Sequence, residues 1–370
     1  MCCLEKLIEK WFRKKLDSRR IEKYLQEINL KKRGEGVIQK SPLVNPRVYC
    51  VERRIKPVRS IEEYIDILKH FIAQASKEDS VLIVFPEYNF FDLLGLIPGF
   101  RILNNYLNQK AKKIKGNFEN SSRKEHSEGI NPLFIHILKG IAKPVEEGTK
   151  MIFSSLAKTY QLYIYTGTYI LKEEEKIFNA GFLYGPQGEL IGIQKKIHLT
   201  DFEEGLGLKR GEKLEVYNLP WGKVVCPICM DATYFETFRI AREKGAEIVI
   251  LPIANLEEYN PWKALRGIWP RVQESILYGL KSSLNGWIAG MHFTGKAGIF
   301  APWTLTPRQD GVIAISSHYE GDFLISGQIN ITRLYEVRKD TEYLEDINIE
   351  FEMGYLEKTY ESVKLVKNKN

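Results

Sequence analysis

The sequence predicts an α/β fold built around a mixed sheet. From Arg47 onward, short apolar segments typical of buried strands alternate with amphipathic helical segments. Some of these strands are joined by helices and others by tight turns, such as GPQGEL at Gly185 to Leu190, which indicates a mixed rather than a purely parallel sheet. At 370 residues and 44% hydrophobic content, the chain is long enough to bury a large core.

The first 44 residues are predicted to form a basic amphipathic helical extension with a linker, and residues 45–370 the main domain. Residues 1–40 carry twelve Lys and Arg against six acids, and their apolar residues recur at nearly helical spacing. This pattern fits either a helix that contacts an anionic membrane surface or an acidic partner, or one that docks on its own domain or a second subunit. We favour docking, because the acids dilute the basic face.

The remaining elements are predicted from their periodicity. The expected strands are 47–51, 80–85, 162–168, 180–184, 191–194, 224–229, 247–252 and 287–291, and the expected helices are 61–75, 148–160, 235–244 and 269–284. Residues 100–146 interrupt this alternation with a polar, basic stretch that we interpret as an exposed insertion or mobile loop. A solvated linker is the favoured interpretation of this stretch, and a nucleic-acid contact is disfavoured.

Composition also bears on the cellular compartment. The sequence has no apolar run of roughly 18 to 20 residues, which a membrane span needs, and its first thirty residues are too charged for a signal peptide. The five cysteines are an odd number and include an adjacent pair, which fits a reducing compartment better than a disulfide framework. We therefore expect a cytoplasmic protein.

Two cysteines stand at a Cys-x-x-Cys spacing in VVCPICMDATYFE, at Cys226 and Cys229. A thioredoxin-like pair begins a helix, whereas Cys226 is predicted to lie in a strand. A structural zinc site needs two further closely spaced ligands, which the six histidines and remaining cysteines do not supply. A nucleophile at the point where a buried strand turns toward a helix fits Cys229 better.

Two other charged residues follow predicted strands. Glu87 comes directly after the apolar strand in VLIVFPEYN, where surrounding apolar walls would raise its pKa toward neutrality and suit it to proton exchange with a thiol. Lys196 in QKKIHLTDFE would place an ammonium beside a developing oxyanion. Taken singly, each residue is more often a solvated charge on a loop.

Together, three motifs in the order Glu, Lys, Cys resemble those of the nitrilase superfamily of carbon–nitrogen hydrolases over most of residues 47–340. FPE at Phe85 to Glu87 resembles the glutamate motif, QKKIHL at Gln194 to Leu199 the lysine motif, and ICMDATYFE at Ile228 to Glu236 the cysteine motif. Asn179 and the strand in KGAEIVILP are similar to smaller family features.

The resemblance implies a four-layer α-β-β-α sandwich of the nitrilase type, carrying an N-terminal helical extension. It also implies a triad with Cys229 as nucleophile, Glu87 as general base and then acid, and Lys196 as oxyanion stabiliser. Many relatives place a second glutamate just beyond the lysine motif, and Glu203 and Glu204 compete for that role, with Glu203 slightly preferred. Cys226 is left without a catalytic role.

The activity that the resemblance implies is hydrolysis of an amide or N-carbamoyl bond in a small organic substrate through a cysteine thioester. Neither a metal nor an organic cofactor is required. By family position, the expected substrate-binding residues are Met230, Asn255, Tyr259, Trp262 and His292. Met230 replaces an often aromatic residue, and Phe235 stands where a proline is common, so specificity is expected to differ from that of relatives.

The same resemblance leaves two alternatives to hydrolysis and implies that the chain associates with further copies of itself. The chain could be a catalytically silent binding or scaffold protein on the same fold, or it could transfer the acyl group to a soluble amine. Retention of Glu87, Lys196 and Cys229 in order favours the hydrolase. A homodimer or higher homo-oligomer is expected.

Overall fold

A computed structural model describes residues 3–34, 45–77, 79–115, 132–341 and 346–367. The middle of the predicted insertion, 116–131, and the predicted linker at 35–44 lie outside these described residues. The chain divides into two compact units, Met1–Ile331 and Thr332–Asn370. The first unit thus includes the N-terminal helices, whereas the sequence prediction separated them at residue 44 and extended the main domain to residue 370.

The first unit contains the sheet and most of the helices. Its strands are β1 Arg47–Arg54, β2 Ser80–Val84, β3 Tyr163–Glu173, β4 Lys176–Tyr184, β5 Leu190–Lys195, β6 Val216–Leu219, β7 Gly222–Val225, β8 Ile248–Ala254, β9 Tyr278–Ile288, β10 Met291–Phe293, β11 Gly298–Phe300, β12 Val312–Ile315 and β13 Phe323–Gln328. Its helices are α1 Cys3–Lys15, α2 Ser18–Gly34, α3 Ile61–Ala75, α4 Phe100–Lys115, α5 Pro132–Tyr160, α6 Asp201–Gly205, α7 Phe235–Glu243, α8 Pro261–Ala264 and α9 Ile268–Ser275. The second unit holds α11 Ile349–Lys367 and all but the first residue of α10 Ile331–Lys339.

The sheet is mixed, and its main path runs β5-β4-β3-β2-β1-β9-β8-β7-β6. Pairing is parallel at β1 with β2 and β9, at β2 with β3, and at β8 with β7 and β9, and antiparallel at both ends of the path. The two ends approach one another, since the ring of Tyr217 on β6 fills the space that a side chain at Gly192 on β5 would need. The expected mixed α/β class is therefore confirmed, with a nearly closed sheet.

Helices cover the faces of the sheet on two sides. On one side α1, α2, α3 and α5 share a buried cluster with β1 to β4, which includes Phe12, Ile21, Leu68, Phe153 and Ile164. On the other side α7 and α9 pack on β7, β8 and β11 through a cluster that includes Phe238, Val272 and Phe300. Glu87 follows the parallel strand β2, and Lys196 follows β5 at one end of the sheet path.

The N-terminal helices are packed against the first unit's own core. Phe12 on α1 and Ile21 on α2 have no exposed surface, and the α1–α5 contact is reinforced by an ion pair of 2.6 Å between Arg13 and Glu147. The α2–α3 contact includes a 2.8 Å hydrogen bond from the Tyr24 hydroxyl to Asp66. The inner faces of both helices thus dock on their own domain, one of the two arrangements in the interpretation favoured from the sequence.

The segment predicted to be an irregular insertion at 100–146 is helical wherever it is described. Residues 100–115 form α4, and residues 132–146 belong to α5, which continues through Pro144. The prediction was wrong because it was based on the polar, basic character of the stretch, whereas the polar residues of α4 are mostly good helix formers.

The helix predicted over 269–284 was also wrong in its second half. Helix α9 ends at Ser275, Ile276 adopts a left-handed φ of +49°, and β9 begins at Tyr278. The apolar residues Ile276, Leu277, Leu280 and Leu284 have helical spacing, but the last two belong to β9, which pairs with β1 and β8 in the middle of the sheet.

None of the helices in the described part of the chain has the length and apolar character that crossing a membrane requires.

Candidate active site

The loop after β2 presents Glu87 at the carboxyl end of the strand. The Ala254 N–H, at the end of β8, donates to Glu87 Oε2 at 3.0 Å. Asn179 Nδ2 on β4 donates to Glu87 Oε1 at 2.9 Å. Glu87 has no exposed surface, so these donors fix a buried carboxylate beside the ends of β2 and β8 and near the beginning of β4.

Buried polar residues hold the Glu87 loop in place. Arg53 on β1 forms a buried ion pair of 2.6 Å with Asp92, and its Nε donates to Asn89 Oδ1 at 2.8 Å. Asn89 Nδ2 donates in turn to the Thr166 carbonyl on β3 at 3.0 Å. An ion pair with both partners buried and hydrogen-bonded specifies one loop conformation, although its net contribution to stability is small.

Lys196 follows β5 and is buried with its ammonium between two carboxylates. Its Nζ lies 2.7 Å from Glu87 Oε1 and 2.8 Å from Glu203 Oε2. Glu203 is the third residue of the short helix α6, where Thr200 and Glu203 form a reciprocal capping box. The cap therefore aims the Glu203 carboxylate at Lys196.

Of the two glutamates considered for the position beyond the lysine motif, Glu203 is the one beside Lys196. Glu203 is fully buried and also accepts 2.6 Å and 2.9 Å hydrogen bonds from the Tyr88 hydroxyl and Asn179 Nδ2. The Glu204 side chain is 47% exposed and pairs with Arg210.

Cys229 lies at a sharp turn between β7 and α7. Its φ of +45° is in the left-handed region, which non-glycine residues seldom adopt, and it begins a 3-10 helix at Cys229–Thr233. The Glu87 carboxylate and the Lys196 ammonium are both near enough to the thiol to influence its pKa. Strand, turn and neighbouring strand together direct the sulfur at Glu87.

Cys226, the other cysteine of the pair, directly follows β7 and is buried. Burial raises the pKa of its thiol far above the usual range. Its carbonyl accepts a long 3.5 Å hydrogen bond from the Tyr165 hydroxyl, and so the residue contributes to packing between strands. These contacts give Cys226 a structural setting that differs from that of Cys229.

Burial and neighbouring charges determine which groups in the site carry protons. Burial raises the pKa of Glu87, and the nearby charge of Glu203 adds to the effect while Lys196 opposes it. Burial and the Glu87 charge likewise raise the pKa of Cys229 well above its usual value. Burial disfavours the Lys196 ammonium, but the two carboxylates outweigh that effect and hold its pKa well above normal. Lys196 thus stays charged, and Cys229 keeps its proton until a base removes it.

The pKa of Glu203 shifts the other way. Burial by itself would raise it, but the Lys196 ammonium and the hydrogen bonds from Thr200 and Tyr88 hold it below its usual value. Glu203 is therefore a permanent anion beside Lys196, whereas Glu87 is the carboxylate adapted to exchange protons.

Asp231 was not among the sequence candidates, yet it connects the lysine and cysteine motifs. It is fully buried and accepts from the backbone N–H groups of His198 at 2.6 Å and Ile228 at 2.8 Å, and it lies 3.0 Å from His198 Nδ1. Its position two residues after the nucleophile was the available signal, but a lone acid there is indistinguishable by sequence from an exposed one.

Tyr88 was the second residue that the sequence did not single out. Its φ is +52°, and its hydroxyl donates to Glu203 at 2.6 Å. Burial raises the pKa of Tyr88 well above its usual value, so the phenol stays protonated and remains a donor.

The carbon–nitrogen hydrolase family model matches residues 53–277, which include all of these motifs. This range is more than half of the chain. The chain belongs to the carbon–nitrogen hydrolase family.

The relatives reported below have low sequence identity to this chain. A probable hydrolase of Bacillus subtilis, YhcX, is 22% identical over 302 residues, 80% of this chain, and the chain spans about half (52%) of that protein's length. The omega-amidase NIT2-B of Xenopus laevis is 26% identical over 206 residues, which are 52% of this chain and 70% of that protein.

Solved structures show the same fold. A carbon–nitrogen hydrolase from Helicobacter pylori G27 superposes with a TM-score of 0.61 at 20% identity, covering 84% of this chain and 97% of that one. An amidase from Nesterenkonia sp. AN1, bearing the acetamide moiety of fluoroacetamide on its active site cysteine, gives 0.58 at 16% identity, covering 86% and 99%.

The residues expected to bind substrate lie in several settings. Asn255 follows Ala254 directly, and its carbonyl accepts from the Thr294 N–H at 2.9 Å, which connects it to the segment after His292. Tyr259 stacks on Tyr319, and His292 stacks on Trp287 and lies 2.7 Å from Glu320. Met230 is half-buried beside Cys229, and Trp262 is 78% exposed. The role of these residues in substrate binding stays a prediction.

Proposed function

We propose that this protein hydrolyses a non-peptide carbon–nitrogen bond, an amide or N-carbamoyl group, in a small organic substrate through a thioester on Cys229. The observation that carries the proposal is the buried Glu87 carboxylate, which lies 2.7 Å from the Lys196 ammonium and near enough to Cys229 to help raise the pKa of its thiol. A nucleophile with its base and a fixed cation at the same point is what acyl transfer requires.

In the first half-reaction, Glu87 takes the thiol proton as the Cys229 sulfur attacks the substrate carbonyl carbon. The carbonyl oxygen becomes an oxyanion beside Lys196 Nζ and the Met230 backbone N–H. Collapse of this tetrahedral species breaks the carbon–nitrogen bond, and the departing nitrogen takes the proton from Glu87. Ammonia or an amine leaves, and the acyl group remains on sulfur.

In the second half-reaction, water replaces the nitrogen. Glu87 accepts a proton from the attacking water, the oxyanion forms at the same place, and collapse breaks the carbon–sulfur bond. The proton returns to the Cys229 sulfur, and the substrate leaves as an acid. Lys196 keeps its charge throughout, because Glu203 neutralises it on the side away from the reaction.

Asn179 has a distinct place in this scheme. Its Nδ2 donates to both Glu87 and Glu203, so it holds the two carboxylates at a fixed separation on either side of Lys196. We infer that it is a positioning residue. The substrate contacts proposed for Met230, Asn255, Tyr259, Trp262 and His292 would select the acyl group, since the charged cluster itself acts on any carbonyl.

The experiment is ammonia release from a panel of small amides and N-carbamoyl compounds by the wild type, Cys229→Ala and Cys226→Ala. Iodoacetamide labelling, located by peptide mapping, reports which thiol reacts. The proposal expects ammonia from at least one compound, loss of this activity only in Cys229→Ala, and label on Cys229. An unreactive Cys229 with no compound turned over would favour the silent binding protein instead.

A further inference from the structure

Helix α4 presents an outward face on which apolar and basic residues are combined. Ile102, Tyr106, Lys110 and Ile114 follow one another at intervals of four residues and therefore form one row along the helix. Ile102, Tyr106 and Ile114 are 79%, 63% and 56% exposed, and Leu103 beside this row is 52% exposed. Four large apolar side chains on one helix are thus in solvent, where each is unfavourable.

The opposite face of α4 is fixed to the first unit, so the exposed row has a defined orientation. Asn104 Oδ1 accepts from the Ala289 N–H at 2.7 Å, and Asn108 Oδ1 accepts from the Gly290 N–H at 2.8 Å. Phe100, at the start of the helix, belongs to the core. These contacts hold α4 on the β9–β10 turn and direct Ile102 and Tyr106 away from it.

The charge of α4 has one sign. Its sixteen residues include five Lys and Arg and no acid. Arg101, Lys110 and Lys113 are exposed, and Lys112 lies over the Trp287 ring. Trp11 on α1, 38% exposed, donates to the Leu96 carbonyl at 3.0 Å, which adds an exposed aromatic ring beside the segment that leads into α4.

We propose that the outer face of α4 attaches this protein to an anionic membrane surface. Apolar side chains entering the boundary between head groups and acyl chains, with lysines beside them meeting acidic head groups, form the pattern of a helix that lies in the membrane interface. Tyrosine and tryptophan favour the same boundary. The inference goes beyond the proposed hydrolysis and does not depend on it.

Two other occupants fit this face less well. A second copy related by a two-fold axis would bring two α4 helices together, with five positive charges on each and no acid to pair with them. Nucleic acid would satisfy the lysines but would leave Ile102, Leu103 and Ile114 unmatched, since phosphates and sugars offer them no apolar surface.

The test is sedimentation of the full chain with phosphatidylcholine vesicles, with and without roughly 30% phosphatidylserine, at low and moderate salt. We expect binding only to the anionic vesicles. Ile102→Ser/Tyr106→Ser removes apolar area at constant charge and is expected to lower the partition coefficient at least roughly tenfold. Lys110→Gln/Lys113→Gln is expected to lower it by about tenfold or more, with the difference shrinking as salt rises.

Controls come from α2, another basic helix with an exposed apolar residue. Leu30→Ser removes one exposed apolar side chain there, for comparison with Ile102→Ser alone, and Lys23→Gln/Lys31→Gln removes two lysines; both are expected to bind vesicles like the wild type. Circular dichroism and amide hydrolysis, neither of which should change in any variant, show that each protein is folded.

Three results would overturn the proposal. One is no sedimentation of the wild type with anionic vesicles. Another is equal losses in the α2 and α4 variants, which would indicate attraction by net charge alone. The third is release of the protein from vesicles by a polyuridylate RNA that binds the Ile102→Ser/Tyr106→Ser variant as well as the wild type, which would assign the face to nucleic acid.

Discussion

Lys196 Nζ lies 2.7 Å from Oε1 of Glu87, and neither side chain has more than a trace of exposed surface. Such a contact would usually lower the pKa of the carboxyl, yet burial and the neighbouring charge of Glu203 leave the pKa of Glu87 above its ordinary value. The ion pair is therefore a means of holding a base and a cation together at the nucleophile.

Glu203 and Glu204 offer a matched pair of substitutions. Glu203→Gln leaves Lys196 with one carboxylate instead of two, and we expect kcat/KM to fall by roughly 10². Glu204→Gln removes an exposed carboxylate paired with Arg210 and should leave kcat/KM within about twofold of the wild-type value. Steady-state kinetics on one amide substrate measure both, and equal losses in the two variants would contradict the arrangement.

The pH dependence of kcat/KM reports the Glu87 carboxyl. Because its pKa is raised, the base form that accepts the thiol proton is lost as pH falls through a value above the usual 4.5. Removing the Glu203 charge removes a cause of that increase, so Glu203→Gln should move the acidic limb to lower pH. A limb at the ordinary glutamate value, or one that moves upward in Glu203→Gln, would contradict this assignment.

Asp231 is predicted to act through the loops that it connects. Asp231→Asn places an amide N–H2 group against backbone donors, and we expect a loss of about 2 to 4 kcal/mol in the free energy of unfolding and a lower kcat in the folded fraction. His198→Ala removes only the ring contact and leaves the His198 N–H bonded to Asp231. In chemical denaturation, His198→Ala should therefore lose less than half as much unfolding free energy as Asp231→Asn. Equal losses would show that the ring, and not the backbone contact, carries the connection.

The N-terminal helices are predicted to be part of the folded unit. Phe12 on α1 is fully buried in the core that α1 shares with α5, so Phe12→Ala should cost about 3 to 5 kcal/mol of unfolding free energy. Leu7→Ala on the same helix removes a side chain that is 66% exposed, and should change this free energy by under about 0.5 kcal/mol. A small effect of Phe12→Ala would mean that α1 detaches from the domain in solution.

The sequence predicted those elements whose local signals and tertiary setting agree. Helix α3 was predicted at its observed bounds from an uninterrupted apolar row, and in the structure the Ser60 side chain caps its first turn. Strand β9 was mistaken for helix because the spacing of its apolar residues fits both structures, and only its central place in the sheet decides between them.

Within the site, likewise, the residues in local motifs could be predicted, and those that depend on tertiary contacts could not. Glu87, Lys196 and Cys229 could be predicted from motifs in which each follows an apolar strand. The choice between Glu203 and Glu204 depends on a capping box one turn long, and the contacts of Asp231 and Tyr88 depend on the approach of loops that are far apart in sequence. Long-range contacts of this kind leave no periodic pattern in the sequence.

The measurement that tests the central claim most directly is the intact mass of the protein, quenched with acid during turnover of an amide identified by ammonia release. We expect an adduct equal to the acyl group of that amide, mapped to the peptide that contains Cys229, and absent from Cys229→Ala but present in Cys226→Ala. Undiminished ammonia release by Cys229→Ala, with no adduct on the wild type, would contradict a thioester mechanism at this site.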